Sequence, residues 1–115
     1  MSYIDGFVIP VPMDKKQAYV DSAKKANAVF KEYGATRVVE CWADDVPDGA
    51  TTDFKRAVKA EPGETVMFGW IEWPDKKTRD EIQAKVRADP RMKGGDMPFD
   101  AKRMIYGGFD ELLTV

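Results

Sequence analysis

The stretch Glu64-Thr65-Val66-Met67-Phe68-Gly69-Trp70-Ile71-Glu72-Trp73 decides the fold. Its β-branched and aromatic side chains read as a strand. Pro74 stops it, because a proline cannot donate to the ladder, and Asp75 can cap a helix that runs to about Asp89 and breaks at Pro90. Ile82 and Val86, with Met92, give that helix a thin apolar stripe.

Working upstream, Thr36–Ala43 (TRVVECWA) reads as another strand. The turn-rich segment Asp44–Ala50 follows, and Thr52 or Asp53 can cap a short helix, Phe54–Lys59. Further upstream, Tyr3–Val11 is a first strand. Asp14 and Gln17 form a capping-box-like pair before a helix over Lys15–Tyr33. Tyr19, Ala23, Ala26, Phe30 and Tyr33 draw an apolar stripe along that helix, and Gly34 stops it. At 1.5 Å per residue it is ~28 Å long, enough to cross a sheet. Downstream, Gly94–Pro98 reads as a loop and Arg103–Phe109 (RMIYGGF) as a fourth strand, with no reading for the tail Asp110–Val115.

The order is therefore βαββαβ in one domain, 1–115. It predicts an α+β ferredoxin-like sandwich, a four-stranded antiparallel sheet with both long helices on one face. One sheet face is then left bare.

Strand alternation sorts the side chains between the faces. On the first strand, Ile4, Gly6 and Val8 suit the helix side, leaving Tyr3, Asp5, Phe7 and Ile9 on the bare face. On the second, Val39, Cys41 and Ala43 suit the helix side, leaving Val38, Glu40 and Trp42. On the third, Met67, Gly69 and Ile71 lie under helices, leaving Val66, Phe68, Trp70 and Glu72. The fourth offers either Met104 and Tyr106 or Arg103 and Ile105. So much exposed aromatic surface marks an interface, and face-to-face homodimerisation would close two sheets into a dimeric α/β barrel.

That barrel would enclose aromatic residues and carboxylates. The expected ligand-binding residues are Tyr3, Phe7, Trp42, Phe68, Trp70 and Tyr106. The candidate catalytic residues are Asp5, Glu40, Glu72 and Arg103, a buried carboxylate being the usual way to make a general acid and Arg103 the cation to pair with it. A small-molecule-binding homodimer, with or without cofactor-free catalysis, is one reading. A non-catalytic dimer whose barrel is filled by its own side chains is the other, and the cavity separates them.

Composition excludes several chemistries. There is no histidine, so neither a Ser-His-Asp nor a Cys-His unit can be built, and histidine-held metal or haem is closed to the chain. The single Cys41 allows no internal disulfide, which fits a reducing cytoplasm, and reads as a buried inert thiol. No cofactor and no metal are expected. No run is long and apolar enough to span a membrane, and Met1–Val11 lacks the basic start of a signal peptide.

A net charge of -2 argues against general polyanion binding. Phe68-Gly69-Trp70-Ile71-Glu72-Trp73 is similar to the third-strand signature of RNA-recognition motifs, yet Val66-Met67 replaces its basic start and Glu40 and Glu72 would repel phosphate. Asp44-Asp45-Val46-Pro47-Asp48-Gly49 lacks calcium-loop ligands at Val46 and Lys55 and reads as a solvated turn. Gly94-Gly95 and Gly107-Gly108 sit in no phosphate-loop frame; the second pair suits a bulge or a close backbone approach. The lysine pairs 15–16, 24–25 and 76–77 read as solvation of helix faces.

Four segments together carry a family resemblance: VVECWADDVPDG (38–49), TDFKRAV (52–58), FGWIEWPDK (68–76) and DPRM (89–92) through MPFDAKRMIYGGF (97–109). Nearly end to end, the chain resembles the YbaA-like bacterial proteins, a domain-of-unknown-function family. The resemblance implies a ferredoxin-like chain that forms a dimeric α/β barrel, and it brings no established activity or catalytic residues. The wider superfamily includes cofactor-free monooxygenases, dehalogenase-like enzymes and haem-using enzymes, an analogy at the level of fold.

Overall fold

The first strand, β1 (Tyr3–Pro12), lies in the interior of the sheet. It pairs antiparallel with β3 (Glu64–Trp73) over its whole length, Tyr3 opposite Trp73 and Pro12 opposite Glu64. On its other side it pairs with β4 (Ile105–Asp110), but only from Tyr3 to Val8. β2 (Arg37–Trp42) joins the far side of β3, so the order is β2-β3-β1-β4 in an open antiparallel sheet. In this computed structural model residues 2–93 and 97–115 are described. Residues 94–96 of the loop expected over Gly94–Pro98 lie outside them.

Two prolines in an interior strand need a reason. Pro10 and Pro12 lie beyond Val8, where β4 no longer pairs with β1. One flank of the strand is free there, which is the ladder position a proline tolerates.

The helices are α1 (Lys16–Tyr33), α2 (Phe54–Ala57) and α3 (Lys76–Ala88). Val29 of α1 and Ile82 and Val86 of α3 pack in one buried cluster with Tyr3, Ile71 and Trp73 of the sheet. Tyr19 of α1 joins a second cluster with Ile9, Val11 and Met67. Both long helices thus cover the same sheet face. The molecule is a slab of 38 × 37 × 21 Å, and 21 Å is the thickness of two layers packed ~10 Å apart with their side chains.

Most helix boundaries follow from local chemistry. Asp75 Oδ1 accepts from the Thr78 N–H at 2.7 Å, and Asp53 Oδ1 accepts from the Arg56 N–H at 2.8 Å, so both expected caps form. Gly34 ends α1 at φ 121°, a left-handed conformation that costs glycine little, with its N–H donated to the Phe30 and Lys31 carbonyls. Asp14 does not cap. It sits in a 3-10 turn, Met13–Lys15, and α1 starts at Lys16 without a side-chain cap, while Gln17 donates to Asp21 at 2.9 Å.

Two further corrections concern the sheet. The segment between β2 and β3 folds over one end of the face that alternation leaves bare, Val58 packing against Val8 and Val66 with Val46 and Ala60 beside them. Gly107-Gly108 makes no bulge, since the β1–β4 register is continuous. It is a close approach instead, because a Cβ on Gly108 would collide with the Tyr3 ring and hydroxyl.

Candidate functional site

The strand register settles which side chains lie under the helices. Residues directly opposite in a ladder share a face. Tyr3, Asp5, Phe7, Ile9 and Val11 stand opposite Trp73, Ile71, Gly69, Met67 and Thr65, and these stand beside Val38, Glu40 and Trp42. That row contains the buried clusters, so it is the helix side. The expectation for β3 holds: Phe68, Trp70 and Glu72 are on the open face. For β1 and β2 it is reversed, and Tyr3, Asp5, Phe7, Glu40 and Trp42 lie beneath the helices. Cys41, expected to be buried, is exposed on the open face.

The reversal has a physical cause. Alternation assigns a carboxylate to the outside because burying it unpaired is costly. Both Asp5 and Glu40 find partners on the helices, at positions a strand-by-strand reading does not consult.

Asp5 is locked. Its carboxylate accepts from Trp73 Nε1 at 2.8 Å, from Arg79 Nη2 at 2.8 Å and Nε at 3.1 Å, and from Gln83 Nε2 at 3.0 Å. Hydrogen bonding to Asp5 is the main reason the Arg79 guanidinium is held protonated above its ordinary range. Arg79 also lies over the Tyr3 ring, 5.2 Å from its centroid. Arg79 and Gln83 alternate with Ile82 and Val86 on the inner face of α3, an i, i+3, i+4, i+7 set. Polar residues on the apolar stripe were the signal available in the sequence.

Glu40 is different. It sits on the floor of a cleft of about 600 Å³ between α1 and β2. The Tyr19 hydroxyl donates to Oε1 and Asn27 Nδ2 donates to Oε2. These are two neutral donors on one face of α1, eight residues apart, and Asn27 too interrupts an apolar stripe. A carboxylate has about four acceptor positions, so Glu40, part of the cleft lining, keeps spare acceptor capacity. Among the described residues no lysine or arginine pairs with it. Burial, then the Glu40 hydrogen bond and charge, push the Tyr19 hydroxyl above its ordinary pKa, so it stays a donor.

Val20, Ala23, Val38, Trp42 and Met67 supply the apolar lining of the cleft. Lys16, Lys24, Lys31 and Arg37 also line it. Lys16 Nζ lies over the Trp42 ring, 5.3 Å from the centroid.

The remaining expected residues scatter. Arg103 is not in a strand but in a 3-10 turn, Ala101–Arg103, where it holds Glu64 at 2.6 Å and Asp100 at 3.0 Å. That hydrogen bonding keeps the Glu64 carboxyl below its usual range. Arg103 therefore ties the chain before β4 to the start of β3 and approaches neither Asp5 nor Glu40. Glu72, on the open face, accepts from Trp70 Nε1 at 3.0 Å and faces Arg37 at 3.7 Å. Tyr106, opposite Phe7, is on the helix side at the sheet edge and largely exposed. The expected single cluster is thus divided: Asp5 under α3, Glu40 and Trp42 under α1, Phe68, Trp70 and Glu72 on the open face.

The open face is mainly apolar, with Glu72 and Arg37 at one end. Phe68 and Ile105 are each 44% exposed and Phe109 60%, and with Ile4, Gly6, Val8, Trp70 and Gly107 they border a shallow hollow of about 710 Å³.

Residues 2–101 match the family described as "Protein of unknown function (DUF1428)". The chain belongs to this family. Its DUF1428 relatives include the Uncharacterized protein YbaA of Escherichia coli strain K12, 60% identical over 98% of each chain. The Shigella flexneri protein of the same name matches to the same extent. Among solved structures, the de novo designed protein Foldit4 covers 97% of this chain and 100% of its own, at 13% identity and a TM-score of 0.47. The DUF1428 description and the relatives' names state no activity, so the reading of function rests on the two sheet faces.

Proposed function

We propose that this protein is a homodimer that binds a small molecule in the α1–β2 cleft of each protomer. The observation that carries the reading is the division of labour between the faces: the open face is mainly apolar and exposed, its Glu72 facing Arg37, while Glu40, with no cationic partner among the described residues, lines a cleft on the other side. The order β2-β3-β1-β4 with both long helices on one face is what a ferredoxin-like half of a dimeric α/β barrel requires. Four strands ~4.8 Å apart, two of ten residues and two of six, present roughly 500 Å² per protomer, which puts a face-to-face dimer at the lower end of specific interfaces. The open face is then filled by its own copy, and ligand chemistry belongs to the cleft.

Glu40 is the group able to take or give a proton there, and Trp42 and Met67 shield the ligand from water. A cofactor-free proton transfer is the catalysis this site could support. RNA on the open face finds less support, since Arg37 is the cation the register puts there and it faces Glu72.

Sedimentation velocity tests the dimer: the wild type should run at twice the 13.0 kDa chain mass and Phe68→Lys at the chain mass. A wild-type monomer at micromolar concentration overturns it. A fragment screen followed by amide and indole chemical shifts tests the cleft. Hits should move Val20, Ala23 and Trp42, and hits that move only Phe68, Trp70 and Ile105 overturn it.

A further inference from the structure

The cleft carries more information than its volume. Its lining holds four cationic residues and a single carboxylate, in a chain where acidic residues outnumber basic ones 20 to 18. Two of the four cations are engaged: Lys31 Nζ donates to the Thr36 carbonyl at 2.9 Å, and Arg37 faces Glu72 at 3.7 Å. Lys16 and Lys24 make no ion pair among the described residues. Both lie on one ridge of α1, Lys16-Val20-Lys24-Ala28, each step four residues, so their attachment points are ~12 Å apart along the cleft wall.

Simple neutralisation does not explain this arrangement. If Glu40 served as the counter-charge of the lysines, one ammonium would lie within 4 Å of it. Neutral donors, Tyr19 and Asn27, hold it instead, and Glu40 is part of the cleft lining. A cation over Trp42 and a free cation two turns on leave a place for negative charge at the rim. The floor offers apolar surface and one strong acceptor.

We propose that the cleft takes an organic anion with an apolar or aromatic body, its acidic group held at the rim by Lys16 and Lys24 and an O–H or N–H donated to Glu40. This rests on the cleft reading above. The acidic group is a carboxylate, sulfonate or phosphate, all of which accept from ammonium donors. The polar hydrogen gives Glu40 the partner that Tyr19 and Asn27 leave room for, and the body covers Trp42, Val38 and Met67. A neutral apolar ligand would leave both ammonium groups unanswered. An anion without a donor would meet Glu40 as a like charge.

Two fluorescent probes separate these terms. Anilinonaphthalene sulfonate has an aromatic body, an N–H and a sulfonate, and N-phenylnaphthylamine has the same body and N–H without the charge. The full-length protein should bind the sulfonate about tenfold or more tightly than the neutral probe, with affinity falling as salt rises. The Lys16→Ala/Lys24→Ala double variant should weaken the sulfonate about tenfold and the neutral probe less than about twofold. Phe68→Lys, on the open face, should leave sulfonate binding in place. Equal affinity for both probes, with both displaced by the cleft-filling variant Val20→Trp, overturns the anion assignment and leaves the cleft reading standing. Insensitivity of both probes to Val20→Trp, with binding lost in Phe68→Lys, overturns the cleft reading itself.

Discussion

Two carboxylates lie on the same face of the same sheet, under the same layer of helices, and meet opposite fates. Asp5, under α3, is saturated by an indole, a guanidinium and an amide. Glu40, under α1, has two neutral donors and open acceptor positions. A saturated charge can hold elements together but has nothing left for a ligand. An under-coordinated one contributes less to the fold and is available for chemistry. Burial separates the two by degree, Asp5 being buried and Glu40 half-buried. The partner count separates them in kind.

The largest test of this contrast is Asp5→Ala, which takes the shared acceptor from Trp73, Arg79 and Gln83 and leaves Arg79 with Asp80 alone as counter-charge. It should cost about 3–5 kcal/mol of unfolding free energy in a urea titration. A loss as small as that of a surface substitution would break the contrast. Next comes Gly69→Ala, at the point where the row from Phe7 to Glu40 crosses β3. A Cβ there would meet the Phe7 ring and the Val39 carbonyl at 2.7 Å, so about 1–3 kcal/mol should be lost.

Tyr19→Phe removes one of the two donors to Glu40 and should cost about 1 kcal/mol, because Oε1 turns to water in the cleft. It also has a pH signature. Folding raises the Tyr19 pKa above its ordinary 10.0, chiefly by burial, so the contribution is complete below that value and is lost as pH rises above it. The wild type should therefore lose stability between pH ~9 and ~11, and Tyr19→Phe should lose less of it over the same range. Equal alkaline slopes would remove Tyr19 from the account.

Smallest is Glu40→Gln, which should change stability by less than about 1 kcal/mol while weakening any ligand that donates to Glu40. Were it to cost as much as Asp5→Ala, Glu40 would be an architectural residue like Asp5.

Elements and order were legible in the sequence because their signals are local. Pro74, Asp75 and Asp53 punctuate the chain within a turn of the boundaries they set, and Gly34 ends α1 where expected. The face assignment was legible only for β3, where Phe68 and Trp70 alternate with Met67, Gly69 and Ile71. On β1 and β2 both alternating sets contain apolar residues, so the charged residue tips the choice, and it tips it outward. The residues that reverse it, Arg79 and Gln83 for Asp5 and Tyr19 and Asn27 for Glu40, lie 13 to 78 positions away. The cleft followed the same fate, since it exists only once Glu40 and Trp42 are placed under α1. Arg103 was misplaced for a simpler reason: a 3-10 turn capped by Asp100 takes the three residues before Met104, so the strand starts at Ile105.

The sheet order has a consequence for biosynthesis. β1 leaves the ribosome first, yet its two neighbours in the sheet begin at Glu64 and Ile105. At ~5–20 residues per second, Phe7, Ile9 and Val11 spend seconds in a nascent chain with no strand beside them. Long-range pairing of this kind also slows folding once the chain is free, since the closure entropy comes before the contacts that offset it. Pro10 and Pro12 stand in that waiting segment, and a strand carrying two prolines is a poor template for a stranger's edge.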